Sequence, residues 1–485
     1  MSSLINLGVD RSGALVKRKG IVKTGAATHP GAANQKLRIM CLVIAVNFGL
    51  RQPVLFAYDN NQLFRNVGIT NPVWNAIPTG TLSGLFEWGV QAGSAAAPYY
   101  VHGVRRNGQT FAVDSLTGTV AATAGPEGTM NCVYKSRMWV INSVSTVAGL
   151  ESRLYFSAAG NYSVWTAPSG GFIDINLGDG QGLISLAVYN DTLFIFKDKS
   201  IYAIDASSED QTTYIPRLVH PTLGSAGRGS VQLIDGFMYF YSIEGVYRTD
   251  GTTFEEISEP IRDIFQKMAN NNTVEQMVKT EAAYWDGKYM LSRQSSDPHL
   301  YVYDTISESW SLWNVSLSSG VSGFSGFATY PELQNEHMYF GDTGGANGGH
   351  IYGSIAQVEW YRDNTVGQSG GTAANDYTCT AELGSLDMDH PGEIKRNYYN
   401  ALDIEGSVAD ECRLIPKGRT ITASYTKVPT SSARQILRFP GTGRNRYNAL
   451  DSHFSIVAGQ TPGPLKIYGI QTADLVRDTV NKPGV

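Results

Sequence analysis

The chain has 485 residues, well beyond the ~150 of a usual domain, and 42% of them are hydrophobic while only 17% are charged. Its 52 glycines and 26 tyrosines favour an all-β protein with many tight turns. The net charge of -5 excludes a broadly cationic surface that holds nucleic acid through its phosphates. Any DNA that meets this protein is therefore expected to pass it rather than to be retained.

The cysteines and the apolar runs limit the class of protein further. Four cysteines lie far apart and form no CxxC pair, so reduced thiols are expected rather than a zinc ribbon or a disulfide framework. The longest apolar run, residues 39–46, is shorter than the ~20 residues of a membrane helix and predicts a buried strand. No signal-peptide pattern is present, so synthesis and assembly in a cytoplasm are expected, with no membrane insertion.

Residues 1–38 predict an extended N-terminal arm, because they combine small residues with basic ones and show little apolar periodicity. Two interpretations stay open: a solvated tail, or an arm that orders against a neighbouring subunit. The candidate interface or channel residues in the arm are Arg11, Lys17, Arg18 and Lys19.

Residues 39–358 repeat one pattern, in which pairs of short strands rich in Tyr, Phe, Ile and Val alternate with Gly, Asn or Asp turns. The clearest copies begin at Tyr189, Ile234 and Tyr284. An Asn-Asp or Asp-Gly dipeptide near the start of each copy predicts a hairpin turn with positive φ. Such repeats of about four strands each predict an irregular β-propeller with six or seven blades.

One segment between two repeats has helical rather than strand periodicity. Ser258 is a suitable N-cap, Pro260 suits the first turn, and apolar residues from Ile261 to Met268 fall on one face. We expect a helix whose apolar face packs on the core, with a partner groove as the alternative.

The pattern changes after the propeller. Residues 359–374 predict a linker or loop, and residues 375–485 contain seven strand-like segments at the spacing of a β-sandwich. Four arginines of this unit gather around the loop at residues 440–443, which is either solvated or part of a subunit interface or DNA-facing patch. These candidates are Arg434, Arg438, Arg444 and Arg446.

Motifs for catalysis or for a bound cofactor are missing from the sequence. It contains no phosphate loop, HExxH or GxSxG pattern, so neither an enzyme nor a cofactor or metal is expected. Asp174, Asn176 and Asp179 lack the spacing of a calcium loop and predict a solvated turn. The segments SSEDQTTY and TDGTTF differ from the Asp-box of sialidase-type propellers and predict hairpin tips. Three tryptophans of one repeat, namely Trp285, Trp310 and Trp313, are interpreted as packing residues rather than as sugar platforms.

The order of several motifs resembles the tail nozzle and hub proteins of short-tailed bacteriophages, which combine a β-propeller with a β-rich platform domain. The resemblance is carried by RLYFSAAGNYSVW, FIDINLGDGQGLISLAVYNDTLFIFKDKSIYAI and SAGRGSVQLIDGFMYFYSIEGVYRTDGTTFEEISEPIRDIF, within about residues 150–270. The closing PLKIYGIQTADLVRDT is similar to the end of the platform domain in those proteins. The first 130 residues match poorly.

The resemblance implies a structural protein of the virion tail, with six copies around the tail axis beneath an adaptor ring. Implied partners are the chain itself as a homohexamer, the adaptor ring, tail fibres or tailspikes, and genomic DNA in transit. The alternative is a propeller that binds or cleaves host-surface glycans, whose carboxylates would line a deep central cleft. A third class, the intracellular interaction propeller, usually has more regular repeats than these.

Overall fold

The computed structural model describes only part of the chain, and every structural statement concerns that part. The described residues are 3–18, 21–23, 38–47, 50–58, 62–67, 74–78, 85–91, 100–143, 149–271, 280–292, 299–314, 324–331, 336–342, 351–354, 363–364, 374–375, 379–383, 394–406, 412–417, 425–440, 446–448, 453–458 and 465–476. Among them, no helix is long and apolar enough to cross a membrane.

The chain begins with four short strands, followed by the strands of the first two blades. The N-terminal strands are β1 (Ser3–Ile5), β2 (Leu7–Val9), β3 (Leu15–Lys17) and β4 (Ile21–Lys23). Blade 1 contains β5 (Arg38–Asn47), β6 (Leu50–Tyr58), β7 (Leu63–Val67) and β8 (Trp74–Ile77). Blade 2 contains β9 (Leu85–Gln91), β10 (Tyr100–Arg106), β11 (Gly108–Asp114) and β12 (Val120–Ala122).

The next three blades are also antiparallel four-stranded sheets. Blade 3 contains β13 (Met130–Tyr134), β14 (Arg137–Ile141), β15 (Arg153–Phe156) and β16 (Gly171–Asp174). Blade 4 contains β17 (Leu183–Tyr189), β18 (Thr192–Lys197), β19 (Ile201–Ile204) and β20 (Arg217–His220). Blade 5 contains β21 (Gln232–Ile234), β22 (Phe237–Ser242), β23 (Gly245–Thr249) and β24 (Phe254–Glu256).

The last two blades belong to larger sheets. Blade 6 contains β25 (Glu281–Trp285), β26 (Lys288–Ser292), β27 (His299–Asp304) and β28 (Ser309–Asn314). Blade 7 contains β29 (Phe324–Pro331), β30 (Glu336–Asp342), β31 (Ile351–Ser354) and, as its fourth strand, β4 from the N-terminal segment. The strands β32 (Asp363–Asn364) and β33 (Ala374–Asn375) extend this sheet beyond β4.

The blades close into a seven-bladed ring, within the predicted range of six or seven. A buried hydrophobic cluster occupies each of the seven blade-to-blade interfaces, including the one between blade 7 and blade 1. At that last interface Tyr339 of β30 packs in one cluster with Leu55 and Phe64 of blade 1. Because β4 precedes blade 1 in the chain but pairs with β31 of blade 7, it also ties the two ends of the propeller together.

The predicted hairpin turns have the expected backbone. Asn190 and Asp191 have φ of 44° and 57°, Asp235 and Gly236 have 47° and 83°, and Asp286 and Gly287 have 50° and 72°. Two successive positive φ values define the tight turn that matches the twist of a β-hairpin. The prediction from these dipeptides is confirmed in all three repeats.

The predicted helix is α1 (Arg262–Asn271), preceded by a 3-10 turn over Glu259–Ile261; two further 3-10 turns cover Leu150–Ser152 and Gln211–Thr213. Phe265 of α1 is fully buried among aromatic residues of blades 5 and 6, so the prediction of core packing is confirmed. Ser258 lies at the N-terminal end, but its hydroxyl accepts the backbone N–H of Val246 at 2.9 Å instead of capping the helix.

A β-sandwich follows the propeller. Its strands are β34 (Cys379–Leu383), β35 (Ile394–Gly406), β36 (Cys412–Lys417), β37 (Tyr425–Lys427), β38 (Gln435–Pro440), β39 (Arg446–Asn448), β40 (His453–Ala458) and β41 (Leu465–Val476). One sheet has the order β1-β34-β40-β36-β37, and the other has β2-β3-β41-β35-β38, with β39 on β35. A single core cluster takes buried residues from both sheets, which confirms the predicted sandwich.

The N-terminal segment differs from the predicted extended arm, because its described residues are strands of both units. Leu4, Leu7 and Leu15 are buried in the sandwich core, and β4 completes blade 7. The propeller is thus inserted between the first and later strands of the sandwich. Of the predicted linker, residues 363–364 and 374 lie in short strands, and residues 359–362 and 365–373 lie outside the described part.

Candidate functional site

The junction between blade 6 and the sandwich is a continuous sheet. β1 pairs in parallel with β28 of blade 6 and antiparallel with β34 of the sandwich, so that nine strands run from one unit into the other. The backbone N–H of Asn6 donates to Leu312 O at 2.7 Å at the point where β1 ends. The two units are therefore joined by backbone hydrogen bonds as well as by side chains.

Asn6 and Arg18 fix this junction from the inside. Asn6 has a φ of 57°, and its side-chain oxygen accepts Arg18 Nε and the backbone N–H of Asn314, both at 2.9 Å. Arg18 also donates from Nη2 to Asn314 O at 2.8 Å and lies over the Trp313 ring at 5.8 Å. Asn6 and Arg18 are 2% and 4% exposed, so the pair is a buried polar contact between the units.

A cleft of about 380 Å³ lies beside this junction, between the β2–β3 hairpin and the outer turns of blade 6. Five basic and three acidic side chains line it, an excess of two positive charges. The basic residues are Arg11, Lys17, Arg18, Lys288 and Lys466, and the acidic ones are Asp10, Asp286 and Asp304. Three of the four arm residues that the sequence singled out thus lie at one site.

The three arm residues that line the cleft differ in how exposed they are. Arg11 is exposed at the tip of the β2–β3 hairpin. Lys17 and Arg18 are 2% and 4% exposed, so they are buried within their own chain and offer no surface to another subunit. This corrects the prediction for these two residues, and the reason is that β3 pairs with β41 and carries both into the junction. Lys19 lies outside the described residues.

The carboxylates of the cleft are held by lysines and by turns. Lys466 Nζ lies 3.2 Å from Asp10 Oδ2, and Ser12 donates to Asp10 Oδ1 from its hydroxyl at 2.5 Å and its N–H at 2.8 Å. The hydrogen bond from the Ser12 hydroxyl, with that from Lys466, lowers the pKa of Asp10 to about 2. Lys288 Nζ lies 3.5 Å from Asp286 Oδ2 and 3.6 Å from Asp304 Oδ2. Asp10 is consequently ionised and paired, and Asp286 and Asp304 share one lysine.

The arginines of the sandwich occupy different environments. Arg434 forms a two-bonded ion pair with Asp403, at 2.9 and 2.6 Å, and stacks on the Tyr468 ring at 4.0 Å. Arg438 is exposed in β38, the strand that Arg434 directly precedes. Arg446 lies in β39, and its backbone pairs with Arg396. Arg444 lies outside the described residues, so the predicted group of four is only partly described.

The centre of the propeller holds a charge cluster that sequence reasoning missed. Arg228 is fully buried, and its Nη1 lies 2.5 Å from Glu87 Oε2 and 3.1 Å from Thr129 O. Arg106 Nε lies 2.8 Å from the other oxygen of Glu87. Burial lowers the pKa of Arg228, but the Glu87 carboxylate outweighs burial and the pKa is raised overall. The only signal in the sequence is an arginine flanked by glycines, in AGRGS.

Arg228 lies on the propeller axis because its partners come from different blades. Glu87 belongs to the inner strand of blade 2, Thr129 precedes that of blade 3, and Gly229 bridges to Glu281 of blade 6. A Cβ on Gly229 would lie 2.6 Å from Glu281 Cγ, so only glycine allows this close approach. The ion pair therefore fills the axis rather than lining an open cleft.

The loop that contains Asn176 and Asp179 surrounds a second buried cation. Lys197 is fully buried, and its Nζ contacts both oxygens of Asp179 at 2.7 and 2.8 Å and Ile175 O at 3.0 Å. Asn176 O and Ser152 Oγ are 3.4 and 3.3 Å away. The ammonium thus occupies the centre of an oxygen cage, so the turn is not simply solvated as predicted.

Metal and thiol chemistry are limited in the described residues. No group of three or more His, Cys, Asp or Glu side chains that could hold a metal ion occurs among them. All four cysteines are free, as predicted, and burial raises the pKa of Cys41 and of Cys132 to about 12.

The remaining candidate sites have structural roles. Trp285 and Trp313 are 4% and 3% exposed, and Trp310 donates from Nε1 to Ile257 O at 2.7 Å, so packing is confirmed. In the TDGTTF turn, Asp250 Oδ1 accepts the backbone N–H groups of Thr252 and Thr253 at 2.8 and 2.7 Å. The hydrogen bond from Thr253 N–H is the main reason that the pKa of Asp250 lies below its ordinary value.

Comparisons with known proteins give no family for this chain. No family model and no curated protein matches it. A solved structure of PorZ, a surface component of the type-IX secretion system of Porphyromonas gingivalis, is 10% identical, with a TM-score of 0.40. The alignment covers 85% of this chain but 46% of PorZ, so this chain spans about half the PorZ length. A chain of the mitotic checkpoint complex is 10% identical over 68% of this chain and 93% of its own, with a TM-score of 0.42.

Proposed function

We propose that this chain is a structural protein of a short bacteriophage tail, without enzymatic activity. Copies would form a ring, a homohexamer, below the portal-adaptor and continue the channel through which DNA leaves. The supporting observation is the pairing of a closed seven-bladed propeller with a β-sandwich, the organisation that the motif resemblance implies. The motifs that carry the resemblance, residues 150–270, form the last two strands of blade 3 together with blades 4 and 5 and α1.

The mechanics of the two units suit such a role. A propeller is closed on itself, so its strand edges are short, and here the nine-stranded sheet attaches it firmly to the sandwich. Arg228 and Glu87 fill the propeller axis, so a DNA channel would lie between subunits and not through a propeller. A mildly acidic chain, with a net charge of -5, would hold passing DNA weakly.

The partners follow from this proposal. The ring would contact the adaptor above it and tail fibres or tailspikes beside it, and it would be assembled in the host cytoplasm into the virion tail. Arg11 and Arg438 are the described candidates for subunit or DNA contacts, because both are exposed on sandwich strands or their turns. The propeller would face outward in this arrangement.

Single-particle imaging tests the proposal. The purified chain is imaged alone at high concentration and together with a portal-adaptor complex. Rings with a central opening, or rings capping the adaptor, are the expected result. A chain that stays monomeric and never joins the adaptor would count against the tail role, and sugar release from host-surface glycans would favour the carbohydrate alternative.

A further inference from the structure

The cleft beside the junction contains a basic side chain whose charge is not neutralised within the described part of the chain. Asp10 is paired with Lys466, and Asp286 and Asp304 share Lys288. Arg11 is exposed, and no ion pair or hydrogen bond of its guanidinium occurs among the described residues. Because the acids of the cleft are already paired, Arg11 is available to an external anion.

A second polar group of the cleft is also unsatisfied. Trp313 lines the cleft and is 3% exposed, and its indole Nε1 has no hydrogen-bond partner among the described residues. A buried N–H without an acceptor costs free energy. The Nε1 atom is itself closed to solvent, so it is an unsatisfied polar group inside the wall and not a contact that a ligand in the cleft makes.

Apolar surface completes the site. Val9 and Val16 line the hairpin side, and Ile306, which is 56% exposed, lines the side of blade 6. An apolar wall and an uncompensated arginine in one cleft are complementary to a segment that has both apolar and acidic side chains. The volume of about 380 Å³ falls within the ~300–1,000 Å³ of ligand pockets.

We propose that this cleft binds an acidic peptide segment, with a carboxylate on Arg11 and an apolar side chain against Val9 and Ile306. A peptide is favoured over a phosphate or nucleic acid because Val9, Val16 and Ile306 line the same cleft. A phosphate group has no apolar part to cover these residues, whereas a peptide brings a carboxylate to Arg11 and an apolar side chain to them. The site is independent of the tail role and applies to any partner that presents such a segment.

Calorimetric titration of the full chain tests the proposal. The probe is a blocked pentapeptide, acetyl-Asp-Leu-Glu-Phe-Asp-amide, and its control replaces each acid by the corresponding amide. We expect the acidic peptide to bind and to bind more weakly as the salt concentration rises. Arg11→Glu is expected to weaken binding at least about tenfold, because it reverses the charge at the rim.

Two further variants distinguish a loss of binding at this cleft from a general effect of surface charge. Arg217→Glu makes the same change at an exposed position on β20 of blade 4 and should leave the affinity unchanged. Ile306→Asp, also at an exposed position, should weaken binding by removing apolar surface and adding an acid. Circular dichroism checks that each variant is folded.

Four outcomes overturn the proposal. One is the absence of binding to the wild-type chain, and another is equal binding of the amide peptide. The third is an unchanged affinity in Arg11→Glu. A parallel titration with inorganic phosphate would overturn it as well if phosphate bound at the same site more tightly than the peptide.

Discussion

Arg228 and Glu87, 141 residues apart in the chain, form an ion pair of 2.5 Å at the axis of the propeller. The pair joins the segment before blade 5 to the inner strand of blade 2, across the ring. It differs from the hydrophobic clusters between neighbouring blades, because it links blades that are not adjacent. Both side chains are at least nine-tenths buried, so neither charge is compensated by bulk water.

Replacing Arg228 by methionine is expected to destabilise the fold by about 3 kcal/mol or more, because the buried Glu87 carboxylate would lose the fully buried cation that lies 2.5 Å from it. The free energy of unfolding is measured by denaturation with urea. Arg153→Met is the matched control, since Arg153 and Asp174 form a partly exposed pair on the last two strands of blade 3, with side chains 24% and 25% exposed, expected to contribute about 0–1 kcal/mol. Equal losses in the two variants would contradict a special role for the axial pair.

The double variant Arg228→Met with Glu87→Leu is expected to be more stable than the sum of the two single changes predicts. Removing both charges leaves no uncompensated carboxylate, so the coupling should be about 1–3 kcal/mol. A double-mutant cycle by urea denaturation measures this value. Simple additivity would mean that the two side chains do not interact in solution.

Gly229→Ala is expected to cost about 1–3 kcal/mol, because the new methyl group would lie 2.6 Å from Glu281 Cγ and 3.2 Å from the Trp88 ring. Gly8→Ala is the control, since a Cβ there meets nothing within 4 Å. Thermal unfolding of the two variants gives the comparison. A neutral Gly229→Ala would show that the segment around Arg228 is looser than its packing indicates.

Lys197→Met is expected to destabilise the protein at neutral pH by about 3 kcal/mol, because the Asp179 carboxylate would lose its buried partner. Burial raises the pKa of Asp179, but hydrogen bonds from Lys197 and Gln181 outweigh it and the pKa is lowered overall. The stability due to Asp179 is thus present above its unfolded value of ~3.9 and is lost as the pH falls through its folded pKa.

The difference between wild type and Lys197→Met should therefore shrink as the pH falls below about 4. Urea denaturation at a series of pH values measures it, with Lys199→Met as the control at an exposed lysine two residues away. A difference that stays constant on acidification would exclude the ion pair as its cause.

Local rules explain why much of the fold could be predicted from sequence. Positive-φ dipeptides such as Asn190-Asp191 mark hairpins, and the alternation of apolar residues marks strands that face a neighbouring blade. The core face of α1 was also readable, since Phe265 falls at helical spacing with Ile261 and Ile264. Each of these signals is contained within a few consecutive residues.

Long-range pairing explains what could not be predicted. β1 and β4 are only three residues long, so each is recognisable as a strand only from the strands that it pairs with. β1 pairs with β28 and β34, and β4 pairs with β31. The partners of Arg228 are equally remote in sequence, so a lone arginine between glycines gave no reason to expect an axial ion pair. Lys197 is similar, because its oxygen cage comes from the preceding blade and the loop that follows it.

Charge reversal at Arg438 is expected to weaken the proposed ring more than neutralising Arg434. Arg434 is already paired with Asp403, and the hydrogen bond between them is the main reason that its pKa is raised, so its charge is largely satisfied within the chain. Arg438 is exposed in β38, just after Arg434 in the chain, with no ion pair among the described residues. Sedimentation velocity of Arg438→Glu and Arg434→Ala, beside Arg217→Glu as the propeller control, measures the fraction assembled. If Arg438→Glu assembles like wild type while Arg434→Ala does not, the contact surface lies around the Arg434–Asp403 pair instead.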